Sequence, residues 1–249
     1  MASGWTPLLV LAVLFAPLLL LQRWLSQHLQ GVGLLFTGNP NAALLLHYVI
    51  LLPGIILHEL SHLLAARLVG VKTGRMSLGP KLRSGGNVRF GAVTVRHSDP
   101  LRESWIGLAP LLTGSTAVLL LGRWRLQLPT TLQGGLPAVG QALSSALASP
   151  DALLWLYLIF AISNAMMPSE SDRRPWASVL LFLALTAALL YVLGLVPQIP
   201  AAALQWGQSA VSYLALSFAI AVAVDVPMAL LLLVLERVGE GLLNRKVEY

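Results

Sequence analysis

The chain has 249 residues, of which 57% are hydrophobic and only 10% charged, and its mean hydropathy is +0.77. A water-soluble domain needs more polar surface than this, so the composition excludes one and indicates a membrane protein. The formal charge of +6 does not indicate nucleic-acid binding, because the basic residues flank apolar segments instead of forming a separate arm. Anionic lipid headgroups are their expected partners. Cysteine is absent, so a metal site must use nitrogen or oxygen ligands.

Six apolar stretches are long enough, at about 17 residues or more, to cross roughly 30 Å of hydrocarbon as α-helices. In chain order they cover approximately residues 5–22, 42–69, 104–122, 151–168, 175–195 and 206–236. Between the second and third stretches, a turn sequence at residues 84–87 precedes a segment rich in β-forming residues, which predicts a short hairpin. We therefore predict an all-α polytopic membrane protein with one domain, residues 1–249, and a small β-hairpin between helices two and three.

Basic residues predict the orientation of the chain, because Lys and Arg near helix ends stay preferentially in the cytoplasm. With both termini in the cytoplasm, the 16 Lys and Arg residues are cytoplasmic except Arg23, Arg123 and Arg125. The opposite orientation reverses this distribution. We expect a multi-pass protein of the cell membrane, with its hairpin and both termini in the cytoplasm.

The sequence His-Glu-Leu-Ser-His occupies residues 58–62, inside the second predicted helix. Its i, i+4 spacing places the imidazoles of His58 and His62 on one helix face, where both can bind one Zn²⁺. Glu59 lies about 100° around the helix from His58, so it can accept a proton from an attacking water without being a ligand. Two histidines and a carboxylate in a bilayer helix are costly unless they meet a metal, a partner or water. A chance occurrence of the pattern is therefore disfavoured.

A hydrolytic zinc site normally has three protein ligands and one open position, so the two histidines require a third partner. Asp172 and Glu170 follow the fourth predicted helix, on the side towards which the second helix runs. Asp225 lies within the sixth predicted helix beside Pro227, where a structural hydrogen bond is the favoured interpretation. Asp172 is the favoured third ligand, although without the histidines it would be interpreted as a helix cap or an ion-pair partner.

The other histidines are not expected to bind the metal. His47 precedes His58 by eleven residues and projects from the same helix face, so it is expected to be an interior or loop-facing residue. His28 and His97 are expected to be in solvent. The pair Pro53 and Gly54, about one turn before the metal-binding motif, is expected either to kink the helix or to serve close packing.

The chain resembles the site-2 protease family of intramembrane zinc metalloproteases, which combines His-Glu-x-x-His with an aspartate in a later Asn-x-x-Pro…Asp-Gly segment. Asn164 and Asp172 are eight residues apart, as in that segment. The resemblance implies that Asp172 is the third zinc ligand and that Asn164 positions the substrate. Residues 109–113 are similar to the family's Gly-Pro-x-x-Asn stretch. The chain departs from the family at Met167, which stands at the proline position, and at Arg173, which replaces the glycine.

The resemblance also implies that the hairpin presents an edge strand to an unwound substrate segment. The residues of this strand implied to position the substrate are Asn87, Val88, Phe90, Val93 and Val95. The predicted function is zinc-dependent hydrolysis of a peptide bond in or near a transmembrane segment of a membrane-protein substrate, with Glu59 as general base.

Two alternative functions remain open on the sequence. The departures at Met167 and Arg173 motivate a protease-like membrane scaffold or chaperone without catalytic activity. The polar residues Asp225, His47 and Glu59 motivate an ion or proton transporter, against which the lack of an inverted sequence repeat counts. The sequence predicts no particular oligomeric state.

Overall fold

A computed structural model describes residues 6–82, 88–126, 141, 144–145, 147, 150–195 and 200–246. These residues are mostly helical and include one small two-stranded sheet. The elements in chain order are α1 (Thr6–Thr37), α2 (Pro40–Leu68), β1 (Thr73–Leu82), β2 (Val88–Val95), α3 (Pro100–Trp124), α4 (Ala152–Ala165), α5 (Glu170–Arg173), α6 (Trp176–Val192) and α7 (Ala201–Leu243).

Five helical segments of the described chain are long and apolar enough to cross a membrane: Pro7–Thr37, Pro40–Leu68, Pro100–Trp124, Glu170–Val192 and Ala201–Leu243. The expected fourth span, 151–168, is shorter than predicted, because α4 has only 14 residues. At 1.5 Å per residue it is about 21 Å long, less than the hydrocarbon thickness of roughly 30 Å. Pro168 explains the early end, since a proline lacks an N–H and disfavours helical backbone in the residue before it.

The first predicted helix, 5–22, is also corrected, because α1 continues to Thr37. Gly38 ends it with a φ of +63°, a conformation that favours glycine. Asn39 then caps α2, and its side chain accepts hydrogen bonds from the backbone N–H groups of Asn41 and Ala42, at 2.9 and 3.4 Å. This short turn makes α1 and α2 neighbours in the bundle.

The apolar core lies between α1, α2, α3, α4 and α7, and includes Leu25, Leu51, Val118, Phe160 and Ile220. By contrast, no residue of α6 is buried, although the helix is strongly apolar. An apolar helix with an uncovered surface is what a protein that faces lipid requires, since hydrocarbon takes the place of a protein neighbour.

Glycines allow the closest contacts between helices. A Cβ atom added to Gly54 of α2 would overlap the backbone carbonyl of Ala161 on α4, and one added to Gly107 of α3 would overlap the backbone carbonyl of Asp172. The expected packing role of Gly54 is therefore confirmed. These two contacts bring α4 against α2 and α5 against α3, which sets the positions of the site residues described below.

The predicted hairpin is confirmed as an antiparallel pair of β1 and β2. Thr73 pairs with Val95, and Leu78 pairs with Gly91, with register shifts on either side of the segment that holds Met76, Ser77 and Leu78. The expected turn at residues 84–87 lies outside the described residues. The hairpin connects α2 to α3 and passes close to the His-Glu-Leu-Ser-His segment.

Candidate metal centre

His58 and His62 of α2 meet Asp172 of α5 at one point in the structure. The Nε2 atoms of the two histidines are 3.1 Å apart, and His62 Nε2 lies 3.4 Å from Asp172 Oδ1. His58 Nε2 lies 3.9 Å from Asp172 Oδ2. One ligand atom from each of the three residues lies within 4.8 Å of the others, so the group could hold a metal ion.

Each of the two imidazole rings is held by a backbone carbonyl at its Nδ1 atom. Ala165 O lies 2.7 Å from His58 Nδ1, and Ile106 O lies 2.9 Å from His62 Nδ1. Because a carbonyl oxygen can only accept a hydrogen bond, each Nδ1 must carry the hydrogen. In a neutral imidazole the Nε2 atom then presents a lone pair, which is the form in which histidine binds a metal.

Local sequence explains why these two carbonyls can accept the hydrogen bonds. In an α-helix the carbonyl of Ile106 would normally accept from the N–H of residue 110, but Pro110 has no N–H. Ala165 is the last residue of α4, so its carbonyl lacks an intrahelical donor. The N–H of Ser169, four residues later, donates instead to Asp172 Oδ2 at 2.7 Å.

Asp172 is fixed by a capping box at the start of α5. Its Oδ2 atom accepts hydrogen bonds from Ser169 N and from Ser169 Oγ, at 2.7 and 2.6 Å. The other carboxylate oxygen, Oδ1, is directed towards His62. Asp172 therefore combines the two interpretations that the sequence left open, since one oxygen caps the helix and the other completes the histidine group.

The chemistry of this group fits a bound cation. Two neutral histidines and an ionised aspartate bring lone pairs to one point, and in that protonation state none of the converging atoms carries a hydrogen. Lone pairs 3.1 Å apart, such as those of the two Nε2 atoms, repel each other unless a positive charge lies among them. Nitrogen and oxygen ligands of this kind suit a divalent metal ion.

Glu59 is buried next to this group and lies against strand β2. A Cβ atom added to Gly91 would lie 2.6 Å from both Cγ and Oε1 of Glu59. A side chain at this position of the strand would therefore displace the Glu59 carboxylate. The sequence indicates this role only through a glycine within the predicted strand.

Two cavities are lined by residues of the group formed by His58, His62 and Asp172, called the metal-binding group below. The first has a volume of about 280 Å³ and extends from His58, Glu59 and Asp172 to the buried His47. His47 lies 3.4 Å from Ser26 Oγ and 3.2 Å from Gln30 Nε2, so its expected interior position is confirmed.

The second cavity, of about 420 Å³, contacts His62 and Asp172 from the side of the hairpin. Val93 and Val95 of β2 line it. Of the other residues predicted to position a substrate, Val88 and Phe90 belong to β2, and Asn87 lies outside the described residues.

The two other candidate ligands are not part of the group. Glu170 is exposed, and Asp225 lies fully buried against Asn164, whose Nδ2 donates a 2.9 Å hydrogen bond to Asp225 Oδ1. The expected structural hydrogen bond of Asp225 is therefore confirmed. Asn164 itself lines the first cavity.

The expectation for the remaining two histidines is half right. The side chain of His97 is exposed and lies 2.9 Å from Glu103. His28 was wrongly expected in solvent, because its Nδ1 lies 2.6 Å from Glu236 Oε2 and its ring stacks on Trp24. The partner on α7 is 208 residues away along the chain, and no local pattern indicates it.

Comparisons with protein-family models, curated proteins and solved structures give no match. His58, Glu59, His62, Asn164 and Asp172 line the first cavity together.

Proposed function

We propose that this chain is a membrane-embedded zinc endopeptidase that hydrolyses a peptide bond in or near a transmembrane segment of another protein. The observation that carries the proposal is the convergence of His58, His62 and Asp172 beside the buried carboxylate of Glu59. The distribution of basic residues supports an orientation with both termini in the cytoplasm of a cell membrane.

The spacing of the three residues supports zinc as the metal. Tetrahedral coordination with Zn–N and Zn–O bonds of about 2.0–2.1 Å places neighbouring ligand atoms about 3.3 Å apart. The two Nε2 atoms are 3.1 Å apart and Asp172 Oδ1 lies 3.4 Å from His62 Nε2, while the 3.9 Å contact with His58 Nε2 is made by the other oxygen of Asp172, Oδ2. Three protein ligands also leave one coordination position open, which is the arrangement of a hydrolytic rather than a structural site.

Bound metal and Glu59 would have different roles in hydrolysis. Bound zinc supplies Lewis-acid polarisation of the substrate carbonyl. Glu59 takes a proton from the attacking water as the water oxygen bonds to the carbonyl carbon. It then gives that proton to the departing nitrogen as the carbon–nitrogen bond breaks. Glu59 is buried, lies against Gly91, and lines the same cavity as His58, His62 and Asp172, which supports this role.

The second cavity offers a route for the substrate. A transmembrane helix hides its peptide carbonyls in intrahelical hydrogen bonds, so it must unwind before water can attack. An extended segment beside β2 would lie along Val93 and Val95, and the cavity there also contacts His62 and Asp172. Main-chain pairing with the strand would replace the hydrogen bonds lost on unwinding.

The test is proteolysis by purified protein in liposomes that contain a panel of transmembrane segments with Gly or Pro at varied positions. We expect mass spectrometry to find one or more cleaved segments with wild-type protein. Glu59→Gln should retain zinc but cleave at least about 100 times more slowly, because the general base is lost. Glu240→Gln, the same change near the end of α7, serves as the control and should cleave at the wild-type rate.

The outcomes separate the proposal from its alternatives. Cleavage that persists in Glu59→Gln would exclude Glu59 as the base and overturn the proposed mechanism. Zinc-loaded wild type that cleaves no segment would favour the scaffold, to which the departures at Met167 and Arg173 point. Folded protein that binds no zinc would refute the peptidase and leave both the scaffold and the transporter as candidates.

A further inference from the structure

The amide group of Asn164 has its orientation fixed from outside the metal-binding group. Its Nδ2 atom donates to Phe160 O at 2.9 Å and to Asp225 Oδ1 at 2.9 Å. Because the Phe160 carbonyl can only accept, the nitrogen of the amide, and not its oxygen, must face Phe160 and Asp225.

This orientation determines which polar atom of Asn164 can face the cavity. The two hydrogen bonds use both hydrogens of Nδ2, which leaves Oδ1 as the polar atom that the side chain can present elsewhere. Asn164 is half-buried and lines the same cavity as His58 and Glu59. Oδ1 is therefore the atom through which Asn164 can accept a hydrogen bond from a molecule in that cavity.

Asp225 has few other partners in the protein interior. It is 0% exposed, its Oδ1 is also 3.4 Å from Ser163 Oγ, and its Oδ2 has no hydrogen-bond partner among the described residues. Burying a carboxyl group with one oxygen unsatisfied is costly, and an apolar residue in α7 would avoid that cost. The bond to Asn164 is thus the strongest interaction that the carboxyl group makes.

We propose that Asp225 is a positioning residue that holds the Asn164 amide with Oδ1 facing the cavity, where it accepts a hydrogen bond from a main-chain N–H of the bound peptide. The inference rests on the proposed peptidase function. Without Asp225, one hydrogen of Nδ2 loses its acceptor, and of the two 2.9 Å hydrogen bonds only the one to the Phe160 carbonyl is left to hold the amide. An amide held at one point can rotate about that hydrogen bond, so Oδ1 no longer stays aligned with the peptide N–H.

A purely structural role for Asp225 would produce a different pattern. If the hydrogen bond only joins α4 to α7, replacing Asp225 lowers the unfolding temperature and leaves peptide selectivity unchanged. If Asp225 orients Asn164, replacing Asp225 weakens only one hydrogen bond of the bound peptide. In a chain that already lacks Asn164, replacing Asp225 should have no further effect on that hydrogen bond, because the effects of residues that act as a unit are not additive.

The test uses full-length, zinc-loaded protein in detergent and a peptide hydroxamate as the probe. Its affinity is compared with those of analogues in which one main-chain N–H at a time is replaced by N–CH₃. In the wild type we expect one analogue to bind about three- to tenfold more weakly than the parent, as the loss of one hydrogen bond predicts. Asp225→Leu and Asn164→Ala should each bring this ratio close to one, and the double variant should add nothing.

Two further variants serve as controls. Asp225→Asn keeps an oxygen that can accept from Asn164, so it should preserve the ratio. Ser217→Ala removes another buried polar atom of α7, whose Oγ has no partner among the described residues, and should also preserve the ratio.

Three results would overturn the proposal. The first is an unchanged ratio in Asp225→Leu, and the second is an unchanged ratio in Asn164→Ala, which keeps Asp225 in place. The third is a ratio of one for every analogue in the wild type, since no peptide N–H would then be recognised. Failure of the parent hydroxamate to bind the zinc-loaded wild type would refute the peptidase proposal itself, and the inference with it.

Discussion

Replacing Pro110 by alanine should weaken metal binding without weakening the fold. The alanine restores an N–H four residues after Ile106, in the position from which an α-helix donates to the Ile106 carbonyl. That carbonyl is the acceptor for His62 Nδ1, at 2.9 Å. The new donor competes for it, so the ring of His62 loses part of the support that fixes its Nε2 lone pair.

The expected effects of Pro110→Ala on metal affinity and on the stability of the fold have opposite signs. Loss of a partner that orients a metal-binding histidine typically costs about 10- to 100-fold in metal affinity, or about 1.4–2.7 kcal/mol. Removing a proline from a helix interior returns up to about 3 kcal/mol, from which about 1.6 kcal/mol is lost because two buried CH₂ groups disappear. The metal-free protein should therefore be at least as stable as the wild type.

Two measurements on the detergent-purified Pro110→Ala variant check the expected changes in zinc affinity and stability. Competition with a chromophoric chelator gives the zinc affinity, and thermal unfolding in EDTA gives the stability of the metal-free form. Pro17→Ala is the matched control, since Pro17 also lies inside a helix but is exposed on α1, and it should leave zinc affinity unchanged. Wild-type zinc affinity in Pro110→Ala would refute the reasoning that the missing N–H frees the Ile106 carbonyl.

Three other changes test the contacts around the site. Gly91→Ala places a Cβ atom 2.6 Å from Glu59 Oε1, so cleavage should fall at least about tenfold while zinc content, measured by elemental analysis, stays at the wild-type level. Gly54→Ala forces α2 away from the Ala161 carbonyl, and should lower stability by about 1–3 kcal/mol and reduce zinc affinity. Ser169→Ala removes the cap that holds Asp172, which should cost about 1 kcal/mol and weaken zinc binding several-fold in the chelator assay.

Matched substitutions control for general effects. Gly207→Ala lies in α7 with no atom within 4 Å of the added Cβ, so it should be neutral or stabilising, by up to about 1 kcal/mol. Ser169→Thr keeps a capping hydroxyl and should bind zinc like the wild type. Full cleavage by Gly91→Ala, wild-type stability of Gly54→Ala, or equal zinc affinity in Ser169→Ala and Ser169→Thr would each show that the corresponding contact is unimportant.

Features that depend on local sequence were predictable. Apolar length alone places most of the helices, and the i, i+4 spacing places His58 and His62 on one face of α2. The hairpin follows from a turn signal and a β-rich segment. Local signals failed where polar residues interrupt an apolar run, as in α1, whose second half carries Ser26, His28 and Gln30 and yet stays helical.

Contacts between distant segments were not predictable in the same way. The contact of His28 with Glu236 and the hydrogen bond of Asn164 with Asp225 depend on how α7 packs, which no pattern within either segment specifies. The role of Pro110 was predictable in part. A proline inside a helix indicates that the carbonyl four residues earlier lacks its usual donor. Only the packing of α2 against α3 shows that His62 supplies a donor instead.

The zinc content of full-length protein purified in detergent tests most directly whether His58, His62 and Asp172 form a zinc site. Elemental analysis should find about one zinc per chain in the wild type and in Asp225→Ala, and far less in His58→Ala and Asp172→Ala. Folded wild-type protein that holds no zinc, after zinc has been supplied and the excess removed, would contradict the claim. The convergence of His58, His62 and Asp172 would then need another explanation.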